Sequence, residues 1–170
     1  MKKFEMLVFF EVLWVNVDRT DRRILDVLQR NGNISNLELA EKVGLSPSPC
    51  SRRVKQLEDS GVISRTVTLL NPEKLDLKLT VMIQVSMDRH TPDRFESLEN
   101  TLEGYPEVIS CSMITGQAAD YLIVVMVKDM EAYQTFLLGK LTRIPGVTGV
   151  HSSFVLRKII DRTEIPLNHL

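Results

Sequence analysis

Residues 35–61, SNLELAEKVGLSPSPCSRRVKQLEDSG, contain two helix starts and two helix ends in quick succession. Ser35 and Glu38 have the spacing of a capping box, in which each side chain satisfies a backbone N–H at the start of a helix. Ser46 followed by Pro47 is a second start, because proline at the first helical position loses no hydrogen bond. A glycine predicts the end of each helix: Gly44 and Gly61. Two short helices joined by VGLS predict a helix-turn-helix.

The second of these helices has two chemically different faces. Cys50, Val54 and Leu57 recur at i, i+4 and i+7 and are expected to be buried. The opposite face is polar and basic. Its arginines and lysine can bind phosphates and base edges in a DNA major groove. Its serines can bind phosphates near the positive end of the helix dipole. The alternative is a solvated face, which the capped framework makes less favourable. The predicted DNA-binding residues are Ser46, Ser48, Ser51, Arg52, Arg53, Lys55 and Gln56.

A further helix precedes this pair, in VDRTDRRILDVLQRNG. Thr20 or Asp21 is the expected cap, and Gly32 is expected to stop the helix. The three helices predict a DNA-binding domain of the winged type over residues 18–64, with the helix-turn-helix at about 37–56. GVISRTVTLL then predicts a strand, and residues 65–78 are expected to form a linker strand and connection to the second half.

The second half, residues 79–160, changes to a β-α-β-β-α-β order that predicts a ferredoxin-like domain in an α+β chain. LTVMIQVSM, EVISCSM, YLIVVMV and GVTGVHSSFVLRKII are its expected strands, and helices lie between the first and second and between the third and fourth. Such a sheet carries helices on one face only, and an apolar bare face favours a partner. We therefore expect a homodimer in which two sheets pack against each other. Residues 161–170 are expected to be a tail.

Charge and composition narrow the setting of the protein. Net charge is −1, but residues 18–66 hold nine Lys/Arg against seven Asp/Glu, and the remainder is acidic. A module with an excess of only two positive charges is expected to bind DNA weakly unless two modules bind together. Two cysteines predict no disulfide framework, and no stretch predicts a membrane span, so a cytoplasmic location is expected. Residues 1–17 are interpreted as an N-terminal extension.

The residues from 17 to 165 resemble one known family, the Lrp/AsnC transcriptional regulators. DRTDRRILDVLQRNGNISNLELAEKVGLSPSPCSRRVKQLEDSGVI is similar to the start of such proteins, and YPEVISCSMITG, DYLIVV and LTRIPGV are similar to their regulatory domain. The resemblance implies double-stranded DNA binding by a dimer, and assembly through the C-terminal domain into dimers and often octamers. It also implies that a small amino acid, leucine or another, acts as effector.

The resemblance places the effector site at the loop TGQAADY, with Thr115, Gly116, Asp120 and Tyr121 as candidates. Asp120 can hold a ligand ammonium group, Thr115 offers a hydroxyl, and Gly116 is expected to allow close backbone approach. The family usually separates this Gly and Asp by two residues, and here three intervene, which is expected either to form a bulge or to move Asp120 off the ligand. An ordinary hairpin turn is the alternative. Further candidate contacts lie on the last strand: Thr148, Ser152 and Ser153.

No catalytic motif accompanies these features. His90, His151 and His169 have no carboxylate or cysteine at ligand spacing, and no phosphate loop, dinucleotide fingerprint or nucleophile elbow occurs. We therefore expect no catalytic residues, no metal and no cofactor. Two alternatives remain open: a siroheme decarboxylase of similar architecture, and a metabolite-sensing module without a DNA role. The intact basic helix-turn-helix argues against the first, and the second predicts that replacing Arg52 and Arg53 by alanine leaves function intact.

Overall fold

The computed structural model describes residues 16–116 and 118–170, which form two compact units. One unit runs up to Leu69 and also includes Ile159–Leu170, and the other is Leu70–Lys158. Nearly all of the N-terminal extension expected at residues 1–17 lies outside the described residues. The C-terminal tail expected at residues 161–170 is part of the first unit, so the chain returns to that unit at its end.

The described part of the first unit contains three helices: α1 (Arg19–Leu28), α2 (Asn36–Val43) and α3 (Pro47–Asp59). The capping box predicted for α2 is present, since Ser35 Oγ accepts the Glu38 N–H at 3.2 Å and the Glu38 carboxylate accepts the Ser35 N–H at 3.1 Å. Gly44 ends α2 with a φ of 71°, a conformation that costs glycine little. The predicted helix-turn-helix is thereby confirmed as a local structure.

The start of α1 differs from the prediction, which placed its cap at Thr20 or Asp21. Asp18 is the N-cap: its carboxylate accepts the N–H groups of Thr20 at 2.7 Å and of Asp21 at 2.8 Å. The Asp21 side chain accepts the Asp18 N–H in return at 3.1 Å. Two aspartates three residues apart make the same reciprocal pair as Ser and Glu, because both offer a side-chain oxygen to the other's N–H.

The helices of the first unit enclose one apolar core. Cys50 and Leu57 are buried and Val54 packs against them, which confirms the predicted internal stripe of α3. The side chains of α1 and α2 that complete the core are Ile24, Leu25, Leu39, Ala40 and Val43. Because burial of each aliphatic side chain contributes about 1.5–3 kcal/mol, this core fixes which face of α3 turns outward.

The stretch after α3 forms no strand, which corrects the strand predicted over GVISRTVTLL. Val67 and Leu69 remain exposed, and none of the described strands pairs with this stretch. A strand requires a neighbouring ladder, and its alternating pattern alone does not supply one within a single chain. The second unit then begins with a short 3-10 turn at Glu73–Leu75.

The second unit alternates strands and helices: β1 (Leu79–Met87), α4 (Pro92–Glu103), β2 (Val108–Met113), β3 (Tyr121–Val127), α5 (Met130–Gly139) and β4 (Val147–Phe154). The sheet order is β2-β3-β1-β4, and every neighbouring pair is antiparallel. This is the predicted ferredoxin-like arrangement. β4 ends at Phe154 rather than near residue 160, because the chain leaves the sheet there.

The sheet has one covered face and one open face. β1 and β3 alternate strictly, and their covered side chains form a single core with α4 and α5. Leu98 and Leu102 of α4 and Tyr133 and Phe136 of α5 supply the helical half of that core. The open face is also largely apolar: it carries Met82, Leu122, Val124 and Met126.

Candidate DNA-binding surface and effector site

The outer face of α3 carries the polar side chains that the sequence assigned to DNA. Arg52, Lys55 and Gln56 are exposed, as are Ser46, Ser48 and Ser51 near the start of the helix. Within the described residues neither Arg52 nor Lys55 forms an ion pair. Their charges therefore project from the unit without a carboxylate partner in that part of the chain.

The first turn of α3 is locked by proline. Ser46 occupies the N-cap position with extended backbone, φ −77° and ψ 155°, although its side chain makes no capping hydrogen bond. Pro47 and Pro49 have no N–H, so Ser48 supplies the backbone donor between them. Asn36 Nδ2 donates to the Pro47 carbonyl oxygen at 2.9 Å and ties the start of α2 to the start of α3.

Arg53 is placed differently from the other predicted DNA-binding residues. Its guanidinium Nη1 lies 2.7 Å from Asp18 Oδ2 and 2.7 Å from Asp21 Oδ1, and it therefore joins α3 to the cap of α1. Hydrogen bonds to Asp21 and then to Asp18 raise the pKa of Arg53. The pKa of Asp18 is lowered, chiefly by the Asp21 N–H and further by Arg53. The sequence did not reveal this pairing because the partners lie more than 30 positions away.

The loop between β2 and β3 carries the first group of effector candidates. Thr115 and Gly116 are exposed. Gly116 has a φ of +87°, and nothing described lies within 4 Å of the place where its Cβ would be. The glycine thus serves the positive φ of the turn, and the close backbone approach expected from the sequence has no counterpart among the described residues.

Asp120 turns toward the end of β1. Its Oδ2 accepts the Met87 N–H at 2.7 Å, and its Oδ1 lies 2.7 Å from His90 Nε2. Ser86 Oγ donates to the Ala118 carbonyl oxygen at 2.9 Å, and the Asp120 N–H donates to Val85 at 2.9 Å. The loop is therefore fastened to β1 on both sides of the additional alanine.

The remaining candidates divide between different places in the sheet. Thr148 is the unpaired residue of a β-bulge, and its Oγ1 donates to the Ser86 carbonyl oxygen at 3.2 Å. Ser152 contacts the Tyr133 hydroxyl on the helix side of the sheet, whereas Ser153 pairs with Met82 on the open face. The structure thus brings Thr148 to the same end of β1 as Asp120, and it separates Ser152 and Ser153 from them.

Tyr121 is buried on the helix side of the sheet, where it lines a cleft. Its hydroxyl donates to Glu99 Oε1 at 2.8 Å, and burial followed by this carboxylate raises its pKa. The cleft has a volume of about 430 Å³ and lies between α4 and β2, where Leu102, Ile109 and Cys111 contribute to its lining. Burial, and then the charge of Glu99, raises the pKa of Cys111 to about 11, so the thiol remains protonated at neutral pH.

Two residues of this region were missed by the sequence reasoning. His90 contacts the Asp120 carboxylate and stacks on Phe95 with ring centroids 6.0 Å apart. Ser86 is the shared partner of the loop and of Thr148. The sequence offered only a weak signal for either, since the contacts join segments about 30 to 60 positions apart. Within the described residues no group of three His, Cys, Asp or Glu side chains can hold a metal ion.

Comparison with known proteins decides the family. Residues 80–165 match the Lrp/AsnC ligand binding domain, and residues 17–64 match a winged helix-turn-helix DNA-binding domain. The chain belongs to the Lrp/AsnC family of transcriptional regulators. It is 40% identical over 144 residues to the leucine-responsive regulatory protein of Escherichia coli K12, with 85% of this chain and 87% of that protein covered.

Solved structures agree with this assignment. A Neisseria meningitidis transcriptional regulator, crystallised as a complex with L-methionine, superposes with a TM-score of 0.86 at 46% identity, covering 89% of this chain and 97% of that one. An AsnC family regulator from Agrobacterium tumefaciens superposes with a TM-score of 0.85 at 36% identity, covering 90% and 99%. The family resemblance, the fold class and the function as a DNA-binding transcriptional regulator are thereby confirmed. Among the described residues no helix is long and apolar enough to cross a membrane.

Proposed function

We propose that this Lrp/AsnC protein is a sequence-specific regulator that inserts the outer face of α3 into the DNA major groove. The supporting observation is the separation of that helix into a buried side, with Cys50 and Leu57, and an exposed side, with Arg52 and Lys55. Arg52 is the base or phosphate contact, since its planar fork can donate two parallel hydrogen bonds. Lys55 acts on the DNA backbone, and Gln56, Ser46, Ser48 and Ser51 supply neutral hydrogen bonds.

Arg53 acts indirectly in this proposal. Both of its ion pairs are made inside the first unit, so its contribution to DNA binding is to set the angle between α3 and the start of α1. A residue at the flank of a recognition helix that holds the helix in place affects affinity through folding and orientation. It does not add a contact to the DNA.

We propose further that two copies associate through the open face of the sheet. Met82 at the centre of that face is 44% exposed, and Leu122, Val124 and Met126 beside it are only partly buried by the described residues. A second copy of the same face is self-complementary, as a symmetric dimer requires. Pairing two helix-turn-helix units on one DNA compensates for their small charge excess and predicts half-sites about one helical turn apart. Octamers are a higher assembly of these dimers, and the complex resides in the cytoplasm.

The effector proposed for the protein is a free amino acid bound at the end of β1, which both Asp120 and Thr148 contact. The support is a carboxylate only 19% exposed at the foot of the loop Thr115–Asp120, with a hydroxyl nearby. The L-methionine complex of the Neisseria relative makes methionine and leucine the first candidates to test. Tyr121 lies at this end but turns to the helix side of the sheet, whereas Ser152 and Ser153 lie further along β4. These three residues would contribute through other parts of an assembled site, such as the cleft beside Tyr121.

The DNA-binding proposal is tested by charge-removing variants on DNA selected from a random-sequence library. Arg52→Ala is expected to weaken binding about tenfold, since one good base contact is worth about 1–3 kcal/mol. Lys55→Ala should reduce the slope of log affinity against log salt by about one phosphate equivalent. Arg65→Ala, which removes the same charge outside α3, is the matched control. Equal losses for all three variants would contradict a specific role for α3.

The effector proposal is tested by calorimetric titration with L-methionine and L-leucine. Asp120→Asn removes the charge that would hold the ammonium group and should weaken binding about tenfold or more, as the loss of a hydrogen bond to a charged group of about 1.5–3 kcal/mol implies. Asp93→Asn changes an exposed aspartate of α4 and is the control. Unchanged affinity in Asp120→Asn would contradict a role of Asp120 in effector binding and would favour the cleft at Tyr121 as the site.

A further inference from the structure

The last residues of the chain lie against α1, and they extend beyond both family matches, which end at residues 64 and 165. Arg22 Nη2 donates to Asn168 Oδ1 at 3.1 Å, and Arg22 Nη1 donates to the Leu170 carbonyl oxygen at 3.4 Å. Seven residues further on, at the C-cap of α1, Gln29 Oε1 accepts the N–H of Ile165 at 3.1 Å. Three hydrogen bonds therefore span two turns of the helix.

An apolar contact lies between these polar ones. Leu167 is partly buried and packs against the core of the first unit, which includes Leu25 of α1. The Leu170 N–H donates to the Leu167 carbonyl oxygen at 3.3 Å and turns the chain end back. Pro166 restricts the backbone of the residue before it to extended conformations, which limits the freedom lost on docking. The contact pattern is that of a short peptide bound along a helix by an anchor and flanking hydrogen bonds.

We propose that residues 165–170 form a C-terminal strap whose docking on α1 stabilises the DNA-binding unit. The strap binds its own chain, with Leu167 as the anchor and Arg22 and Gln29 as the polar clamps. The chain joins the two units at two places, after Leu69 and after Lys158. The docked strap anchors the second of these connections to α1. The stability of the three helices therefore depends on residues that lie outside the helix-turn-helix sequence itself.

Hydrogen exchange of the full-length protein tests the stabilisation. Leu167→Asp places a charge where the anchor packs, and amides of α1 should then exchange about tenfold faster, while amides of β1 and β3 keep their rates. Ile165→Ser is the matched control, because that side chain is 66% exposed and its backbone N–H is retained. Wild-type exchange rates throughout α1 in Leu167→Asp would overturn the proposal.

A cross-link distinguishes a strap from the same chain from one donated by a second copy, and it stays informative should Leu167→Asp fail to fold. Arg22→Cys and Asn168→Cys are combined with Cys111→Ser, so that the exposed native thiol is removed. A short bis-maleimide that reacts with both introduced thiols should link them within one chain, visible as a faster monomer band on a denaturing gel; a spacer is needed because the contact joins the tip of a long arginine side chain to Asn168. Lys55→Cys with Asn168→Cys is the control pair and should not cross-link. A covalent dimer, or no cross-link at the Arg22 position, would overturn the proposal.

Discussion

Arg53 and Arg52 are neighbours in sequence, but replacing each by alanine is expected to affect a different property. Arg53→Ala should lower the stability of the first unit, whereas Arg52→Ala should lower the affinity for DNA. Arg53→Ala removes two charge-assisted hydrogen bonds of 2.7 Å. The bond to Asp18, a side chain 48% exposed, is worth about 0.5 kcal/mol, as is usual for solvent-exposed ion pairs. The bond to Asp21, a side chain only 13% exposed, is worth about 1 kcal/mol. The expected loss in the free energy of unfolding is therefore about 1.5 kcal/mol.

That loss is large enough to measure. For a domain of 60–100 residues, 1 kcal/mol moves the melting temperature by about 4–8 °C, so the helix-turn-helix unit should melt about 6–12 °C lower in Arg53→Ala. Differential scanning calorimetry of the full-length protein measures the shift. Arg52→Ala is the matched control and should leave the melting temperature within about 2 °C of wild type, because surface changes away from ion pairs are close to neutral.

DNA affinity measured at about 10 °C, where both variants remain folded, separates the two roles. Arg52→Ala should lose about tenfold in affinity and Arg53→Ala about threefold or less, since only the former removes a contact with DNA. The reasoning would be refuted by an Arg53→Ala protein that melts like wild type yet binds DNA as poorly as Arg52→Ala. That result would mean that the guanidinium leaves Asp18 and Asp21 to reach the DNA.

Three further outcomes follow from the structure. The lowered pKa of Asp18 contributes stability that is complete above its usual value of 3.8 and is lost as pH falls through the lowered value. Acidification should therefore destabilise the wild type more than Arg53→Ala, as measured by circular dichroism. Gly146→Ala should cost about 1–3 kcal/mol in urea melts, because a Cβ there meets Asp88 Oδ1 at 3.0 Å at a φ of +95°, whereas Gly116→Ala carries the backbone strain alone and should cost less. Alkylation of Cys111 should accelerate about tenfold per pH unit up to about pH 10 without a plateau, since its pKa is about 11.

The sequence specified the local structure of the first unit well. The capping box and final glycine of α2, Gly61 after α3 and the i, i+4, i+7 stripe of α3 are local features, and they appear where they were expected. Helix α1 differs from the prediction at both ends, because Asp18 caps it and it ends at Leu28 rather than at Gly32. The alternation in β1 and β3 likewise predicted which side chains face the helices. The strand expected after α3 does not form, because pairing depends on a neighbour and none of the described strands pairs with residues 61–70.

The residues that contact one another over long separations were less accessible to sequence reasoning. The sequence of α3 does not distinguish a charged side chain that faces solvent from one that, like Arg53, pairs with an aspartate at the start of another helix. The role of Asp120 depends on Met87 and His90, which lie about 30 positions earlier and carry no motif. Side-chain direction at the ends of strands depends on the bulge at Thr148 and on the loop length, and neither is encoded in the apolar pattern.

The two prolines at the start of α3 have a consequence for how quickly and how tightly such a helix can engage its target. A proline fixes one backbone torsion before any encounter, so the first turn has few conformations to give up on association. Arg52 and Lys55 are thus presented on a scaffold that is ordered in advance. An interface of this kind gains its selectivity from shape that already exists, and the entropic penalty of ordering the helix at the moment of contact is small.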